Sequence, residues 1–581
     1  GTECLMPACC VPGGSPTRPG AGFHDISRWP RVRGDCDTPA VGEGVDAGWE
    51  ALSRGAWDEA VVLLREREDD PEALEALGVA HWWLDDADAT FAVRECAYRL
   101  YQERADRLGA ARVACALAWD SVLFGGRTAV AAGWLERATR LLDDEVLCAE
   151  HAWLAVRAAE VALATGEPSV AGVAAQRAIA IAEQLALEDV QVVGRSLEGL
   201  SLVHEGLVDE GMRRLDESAV AATAGDVKDL MWVGKVCCNL IAACERVGDV
   251  ERATEWCAQV KEFAGRWELQ TLFNVCRTQY ATVLLQTGDW TEAESELTTA
   301  LAVFSGGRRG ALVNGTAQLG ELRRRQGRLN EARALFAQSE ASWAARLGGV
   351  ELALDEGDTA AAFALAERLE RATDDGRRLD RVAVLSLLAR AAVAAGRVDA
   401  ARAASHELDG LAVSIGTSRA RAAAAHAGGE SACASGDLEL ARRRLEDAVD
   451  LLALCEAPYE RARARLVLAR VLFELGPVSR ARSEATLARD AFFALDARRD
   501  MAAAERLLER SAPATGDAHP LTRRERQVLA FVAAGRSNRE IASELVVSQH
   551  TVHRHVANIL RKLDEPTRAA AAAHAARHGL V

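Results

Sequence analysis

Apolar residues recur along most of this chain at helical spacing. Leu-x-x-Ala and Ala-x-x-Leu steps follow one another from about Val45 to Arg510, and each run forms one apolar stripe on a helix. Alternating Val/Ile/Thr/Tyr runs of the strand type are missing. Between Pro71 and Pro458 stands one proline, Pro168. A proline inside a helix costs about 3 kcal/mol, so its scarcity permits helix throughout. Punctuation comes from glycine instead. Gly126, Gly166, Gly206, Gly248, Gly288 and Gly327 are spaced 40, 40, 42, 40 and 39 residues apart. Gly357 follows after 30, then Gly396, Gly436 and Gly476 after 39, 40 and 40.

A fixed period of this size predicts a helical solenoid. The unit repeats as Gly248-Asp249-Val250-Glu251-Arg252-Ala253, Gly288-Asp289-Trp290-Thr291-Glu292-Ala293 and Gly327-Arg328-Leu329-Asn330-Glu331-Ala332. It recurs at Gly396 with Ala401 and at Gly436 with Ala441. Glycine ends the first helix of a pair, because the left-handed conformation costs it little. Asp or Asn beside it caps the second helix. The small alanine lets the two helices approach. One pair cannot bury its own stripe, so neighbours stack. The pattern resembles tetratricopeptide repeats over residues 45–510, with a period longer than the usual ~34 residues. The resemblance implies a concave face that holds a peptide, a protein or a small effector.

The ends of the chain differ from this body. Residues 1–44 hold six of the thirteen prolines and eight glycines. They are expected to be a disordered leader or the product of a start assigned too early. Ser511–Pro520 reads SAPATGDAHP, a linker. Beyond it, the polar and apolar positions predict four short helices. Thr522 and Glu525 make a capping box. Leu521, Val528, Leu529 and Val532 face inward, and Gly535 stops the first helix. Asn538–Leu545 is the second, with Ile541, Ala542 and Leu545 inward. Val546-Val547 turns the chain. Ser548 caps a third helix to about Leu563, with Val552, Val556, Ile559, Leu560 and Leu563 as its stripe. Pro566 ends that stretch, and a fourth helix covers Thr567–Ala576.

Charge sharpens the division. The chain of 581 residues carries a net charge of -17. Residues 521–581 hold ten Lys/Arg against five Asp/Glu, a net of +5, so the remainder carries -22. A short helix, a tight turn and a longer helix with His and Arg outward is a helix-turn-helix, and positive charge on the docking face is what phosphate contacts require.

Leu521-Thr522-x-Arg524-Glu525, Gly535-x-Ser537-Asn538-x-Glu540-Ile541-Ala542, Ser548-x-x-Thr551-Val552-x-x-His555 and Ile559-x-x-Lys562-Leu563 together resemble the LuxR-type DNA-binding domain. The resemblance implies an all-α chain, a tetratricopeptide-like solenoid followed by a four-helix domain at 521–581. It implies a bacterial, cytoplasmic transcription regulator that binds double-stranded promoter DNA as a homodimer. The helix from Gln549 would enter the major groove. His553, Arg554 and Ala557 would face the bases, with Arg554 on guanine and Ala557 able to touch only a thymine methyl. His553 stands where the family commonly has Lys, so the readout shifts. Asn538, Ser548, Thr551 and Lys562 would bind phosphates or brace groups that do. For Ser548 and Thr551 helix capping alone is the competing account, and for His555 packing between helices is. Asp564 stands where the family usually has Gly. The fourth helix is the implied dimer face.

Other chemistry finds little support. Gly315–Gly320 has phosphate-loop spacing, but Glu321 replaces the lysine, and Gly234-Lys235 is followed by Val236. Nucleophile-elbow and zinc-protease motifs are absent from the sequence, so an enzyme, a cofactor and a metal are not expected. The fourteen cysteines are scattered, which fits reduced thiols in a cytoplasm better than a disulfide scaffold. No run of 18 residues lacks charge, so no membrane span is expected. His81-Trp82-Trp83 can line an effector pocket or fill space between helices. A second function class also stays open: a repeat scaffold that holds a protein partner and binds DNA weakly.

Overall fold

A computed structural model describes residues 43–267, 270–304, 308–510, 521–563 and 565–577. The segments expected to be leader and linker fall almost wholly outside these residues, as does Asp564. The chain divides into two compact units, Gly1–Leu507 and Leu508–Val581. Among the described residues all regular structure is α-helix.

The first unit is a run of antiparallel helix pairs, from Glu43–Ser53 to Arg498–Arg510. Each of the ten periodic glycines is left-handed, with φ between 61° at Gly126 and 103° at Gly476. The caps follow too. Asp249 Oδ1 accepts the Arg252 N–H at 3.2 Å, Asp289 the Glu292 N–H at 3.2 Å and Asp437 the Leu440 N–H at 3.0 Å. Ala253, Ala293, Ala332, Ala401 and Ala441 have no exposed surface, as close helix approach demands. The alternate turns use residues that the glycine count misses. Ala105, Ala186, Glu456 and Asp496 are left-handed there, with φ of 55°, 53°, 48° and 56°. Each costs about 1–2 kcal/mol, which the packing around it offsets.

The array coils back on itself. Arg107–Leu123 meets Arg309–Arg325, Glu188–His204 meets Arg378–Ala394, and Gln270–Thr287 meets Pro458–Leu475. Each partner lies ten helices further along. Ion pairs cross this seam: Arg308 to Asp85 at 2.8 Å, Arg246 to Asp380 at 2.7 Å and Arg325 to Glu460 at 2.8 Å. Two turn glycines also serve the seam. A Cβ on Gly248 would lie 3.1 Å from Arg419, and one on Gly288 would lie 2.6 Å from Leu495.

The His81-Trp82-Trp83 stretch is packed into this framework. Trp82 and Trp83 are buried, Trp83 stacks on Trp57 at 4.8 Å, and the Arg308 guanidinium covers Trp82 at 4.2 Å. These rings fill space between helices. Cys115, Cys237 and Cys244 are buried free thiols, with burial pushing Cys115 and Cys237 up to about 12. Cys238 departs from the expected reduced set, being disulfide-bonded. No described helix is long and apolar enough to cross a membrane.

The second unit holds Arg523–Ala533, Asn538–Glu544, Gln549–Leu563 and Arg568–Arg577. Its core is its own: Leu521, Val528, Leu529, Val532, Ile541, Val552, Ile559, Ala571 and Ala575 are buried together.

Candidate DNA-binding site

The site is built by three caps and one tight turn. Glu525 accepts the Thr522 N–H at 2.8 Å, and Thr522 Oγ1 accepts the Glu525 N–H at 3.2 Å, which fixes the start of the first helix. Ser537 and Glu540 repeat the device on the second, at 2.7 and 3.3 Å. Gly535, at φ 76°, joins them. Val546 then adopts φ 52° and is 90% exposed. A β-branched residue there is a true outlier, so the turn is held by what surrounds it. Ser548 Oγ accepts the Thr551 N–H at 3.0 Å and lies 2.7 Å from Thr551 Oγ1, which starts the third helix.

Val552, Ile559 and Leu563 bind that helix to the core. The remaining positions then have only one direction to face. Gln549, His550, His553, Arg554, Ala557 and Arg561 are exposed, at steps of three and four that keep them on one side. Four of the predicted residues, Gln549, His553, Arg554 and Ala557, are therefore together on one face. Asn538, Ser548, Thr551 and Lys562 are tied into the domain. Asn538 Oδ1 accepts from Arg568 Nη1 at 2.7 Å, and Arg568 also bonds the Arg536 carbonyl. The Lys562 ammonium lies 2.6 Å from Glu525 Oε2. Burial pushes the Glu525 carboxyl up, but hydrogen bonds from Lys562 and Thr522 outweigh it and hold it below the usual carboxylate value. His555 is half-buried beside the core. Ala571 and Ala575 of the fourth helix pack inward, leaving Ala569, Ala573 and Ala576 exposed.

Residues 519–575 match the profile of bacterial regulatory proteins, luxR family, and residues 274–345 match the tetratricopeptide repeat. The chain carries a luxR-family helix-turn-helix domain behind a tetratricopeptide repeat array. It is 47% identical over 62 residues to the uncharacterized transcriptional regulatory protein YhcZ of Bacillus subtilis (strain 168), covering 11% of this chain and 29% of that protein. It is 46% identical over 61 residues to the transcriptional regulatory protein LiaR of the same organism, covering 10% and 29%. The HTH-type quorum-sensing regulator RhlR of Pseudomonas aeruginosa is also 46% identical over 61 residues, covering 10% and 25%. The chain thus spans less than a third of the length of these curated relatives. A crystal structure of a Rap protein complexed with competence and sporulation factor overlaps 70% of this chain and 99% of its own, at 12% identity and a TM-score of 0.38.

Within the luxR-family domain, two exposed residues escaped the sequence reading. His550 lies one turn before Arg554, and Arg561 one turn beyond Ala557. Both carry the helical spacing that would have found them. Arg568 carries no such signal: its role as a clamp between the fourth helix and the Arg536–Asn538 corner exists only in three dimensions. Arg524 is similar, its Nη2 donating to the Leu545 carbonyl at 2.9 Å and holding the helix-turn-helix corner.

Proposed function

We propose that the protein is a sequence-specific DNA-binding transcription regulator. The third helix of its luxR-family domain enters the major groove of promoter DNA. Two copies bind a two-fold site with half-sites about 34 Å apart. The observation that carries this reading is the exposed face of Gln549, His553, Arg554 and Ala557 on a helix anchored by a complete core. Arg554 takes a guanine by paired hydrogen bonds, His553 a neighbouring base edge, and Ala557 a thymine methyl. Gln549 reaches a base edge at the start of the helix. Ser548 and Thr551 present the N-terminal turn to a phosphate, and Asn538 and Lys562 position the elements around it. The repeat array holds an effector or a protein partner and so sets when the domain binds. On this reading the protein works in the cytoplasm, beside its DNA target.

Selection of bound sequences from a random duplex pool tests this, with the full chain and the 515–581 fragment side by side. A shared two-fold motif is the expected result. Arg554→Ala should then lose ~1–3 kcal/mol on the selected site and relax the base opposite it. Absence of any motif with both proteins would sink the promoter-binding reading.

A further inference from the structure

The array leaves one apolar face uncovered. Among its described residues, four large apolar side chains are more than 70% exposed: Val146, Val413, Leu454 and Phe493. Three of them stand at the C-terminal ends of successive second helices, Val398–Ile415, Leu438–Leu454 and Val478–Ala494. Scattered apolar residues need no explanation, but a recurrence at the repeat period does. Beside the middle helix lies a groove of about 570 Å³. Ala412, Val413, Leu451 and Leu454 form its walls, and Ala424 and Ala425 its floor. Arg421 of the floor helix Ser418–Ala434 lines the groove too, as do Asp447 and Asp450 of the middle helix, so its apolar floor carries charged groups around it.

The middle helix adds a pattern. Leu440, Arg443, Asp447, Asp450 and Leu454 are exposed at steps of three, four, three and four, a straight stripe along one face. Neighbouring charges are spent inside the array. Arg442 pairs with Glu439 and Glu446, and Arg444 with Asp409. Arg443, Asp447 and Asp450 enter no ion pair among the described residues. The stripe thus runs from Leu through an unpaired base to two unpaired acids and back to Leu.

We propose that this face is a homodimerisation surface on which Leu438–Leu454 packs antiparallel against its own copy. Charge decides both occupant and orientation. A two-fold axis near Asp447 sets Leu440 against Leu454 of the copy and Arg443 beside its Asp450. The two Asp447 carboxylates meet near the axis, each within one turn of an Arg443 from the other chain. A parallel pair would instead oppose Arg443 to Arg443 and Asp450 to Asp450, which is repulsive. The groove stays open beside the axis for an apolar side chain of the second copy, and Val413 and Phe493 extend the contact on either side. This surface is independent of the luxR-family domain.

The test is the mass of the full chain in solution, without DNA, by sedimentation equilibrium at low salt. A dimer is expected at concentrations on the order of 10 µM. Val413→Glu with Leu454→Glu should raise the dissociation constant by more than about tenfold. Arg443→Glu alone should weaken the dimer, and Arg443→Glu with Asp447→Arg and Asp450→Arg should restore it, because the reversed stripe is again self-complementary. All these positions are exposed, so unchanged far-UV circular dichroism and melting confirm the fold. A monomeric full chain overturns the proposal. So does a dimer that survives Val413→Glu with Leu454→Glu, since its contact then lies elsewhere. Neither outcome touches the DNA-binding reading, which the duplex selection tests separately.

Discussion

Glu525 should be a stability residue of the luxR-family domain, and Lys562 its partner before it is anything to DNA. Glu525→Ala removes the carboxylate that accepts from Thr522 N–H at 2.8 Å and from Lys562 Nζ at 2.6 Å. Loss of the capping box costs about 1 kcal/mol. The ion pair lies between the exposed and buried limits, because the two side chains are 5% and 32% exposed. It adds ~1–2 kcal/mol once solvent screening is allowed for. The sum, ~2–3 kcal/mol, is a large part of the ~3–9 kcal/mol available to a domain of this size. Thermal unfolding of the 515–581 fragment should therefore show a Tm lower by roughly 10–20 °C. The pH dependence gives an independent check. The Glu525 carboxyl is held below its ordinary value, so its contribution is present above the unfolded glutamate pKa and fades as pH falls through the folded one. The parent should lose stability below about pH 4.3 through this group, and Glu525→Ala should lack that component. A Tm change within about 2 °C, or identical acid profiles, would refute the reasoning. Lys562→Met separates bracing from phosphate contact. It should lower stability yet leave the salt dependence of DNA binding unchanged, whereas a lost phosphate contact would reduce that slope by about one.

Gly436→Ala and Gly288→Ala should differ in urea unfolding of the full chain. A Cβ at Gly436 meets nothing within 4 Å, so only the left-handed penalty of ~1–2 kcal/mol applies. At Gly288 the Cβ would also meet Leu495 at 2.6 Å and Pro458 at 3.0 Å, adding ~1–2 kcal/mol of overpacking, and equal losses would argue against the coiled seam. Acid should weaken the array through Glu321. Burial pushes its carboxyl up, but Arg324 and Arg325 outweigh this and bring it from 4.5 to about 2. Its contribution is thus whole above pH 4.5 and lost progressively toward pH 2, and Glu321→Gln should flatten the urea midpoint against pH. Salt dependence of specific binding should be modest. Lys562, Arg568 and Arg524 bond within the domain, and of the domain's described side chains Arg539, Arg554 and Arg561 are the exposed cations outside any ion pair. With Arg554 on a base, about two phosphates per copy give a slope of log K against log salt near -2, or -4 for two copies. A slope near -10 would mean that cations committed inside the domain are released on binding.

The array was legible because one physical need recurs in one residue type. A left-handed turn selects glycine, and all ten periodic glycines meet it. Where packing overrides that preference the signal vanishes. Glu456 and Asp496 take the same conformation, and no composition rule finds them. The coil itself left no local trace either. Arg246 and Asp380 are 134 residues apart, and nothing near either residue names its partner. Only the geometry of stacked pairs brings them to 2.7 Å.

The DNA-binding face was half legible for the same reason. Periodicity assigns direction, so Gln549, His553, Arg554 and Ala557 follow from the buried Val552, Ile559 and Leu563. Periodicity does not assign partners. Lys562 reads on the sequence as a phosphate ligand or as a brace for groups that bind phosphate, being a cation at the end of a basic helix. In the fold its ammonium lies 2.6 Å from Glu525, 37 residues earlier, which supplies a counter-charge to that buried capping box. Asn538 is likewise taken by Arg568. The net charge of +5 therefore overstates what the docking face offers to phosphate. Several of its cations hold the helix-turn-helix corner in place. Weak general attraction with a rigid reading helix shifts the burden of recognition to base contacts. On the proposed reading Arg554, exposed on the face and outside any ion pair, should matter more to specificity than the sum of charge around it.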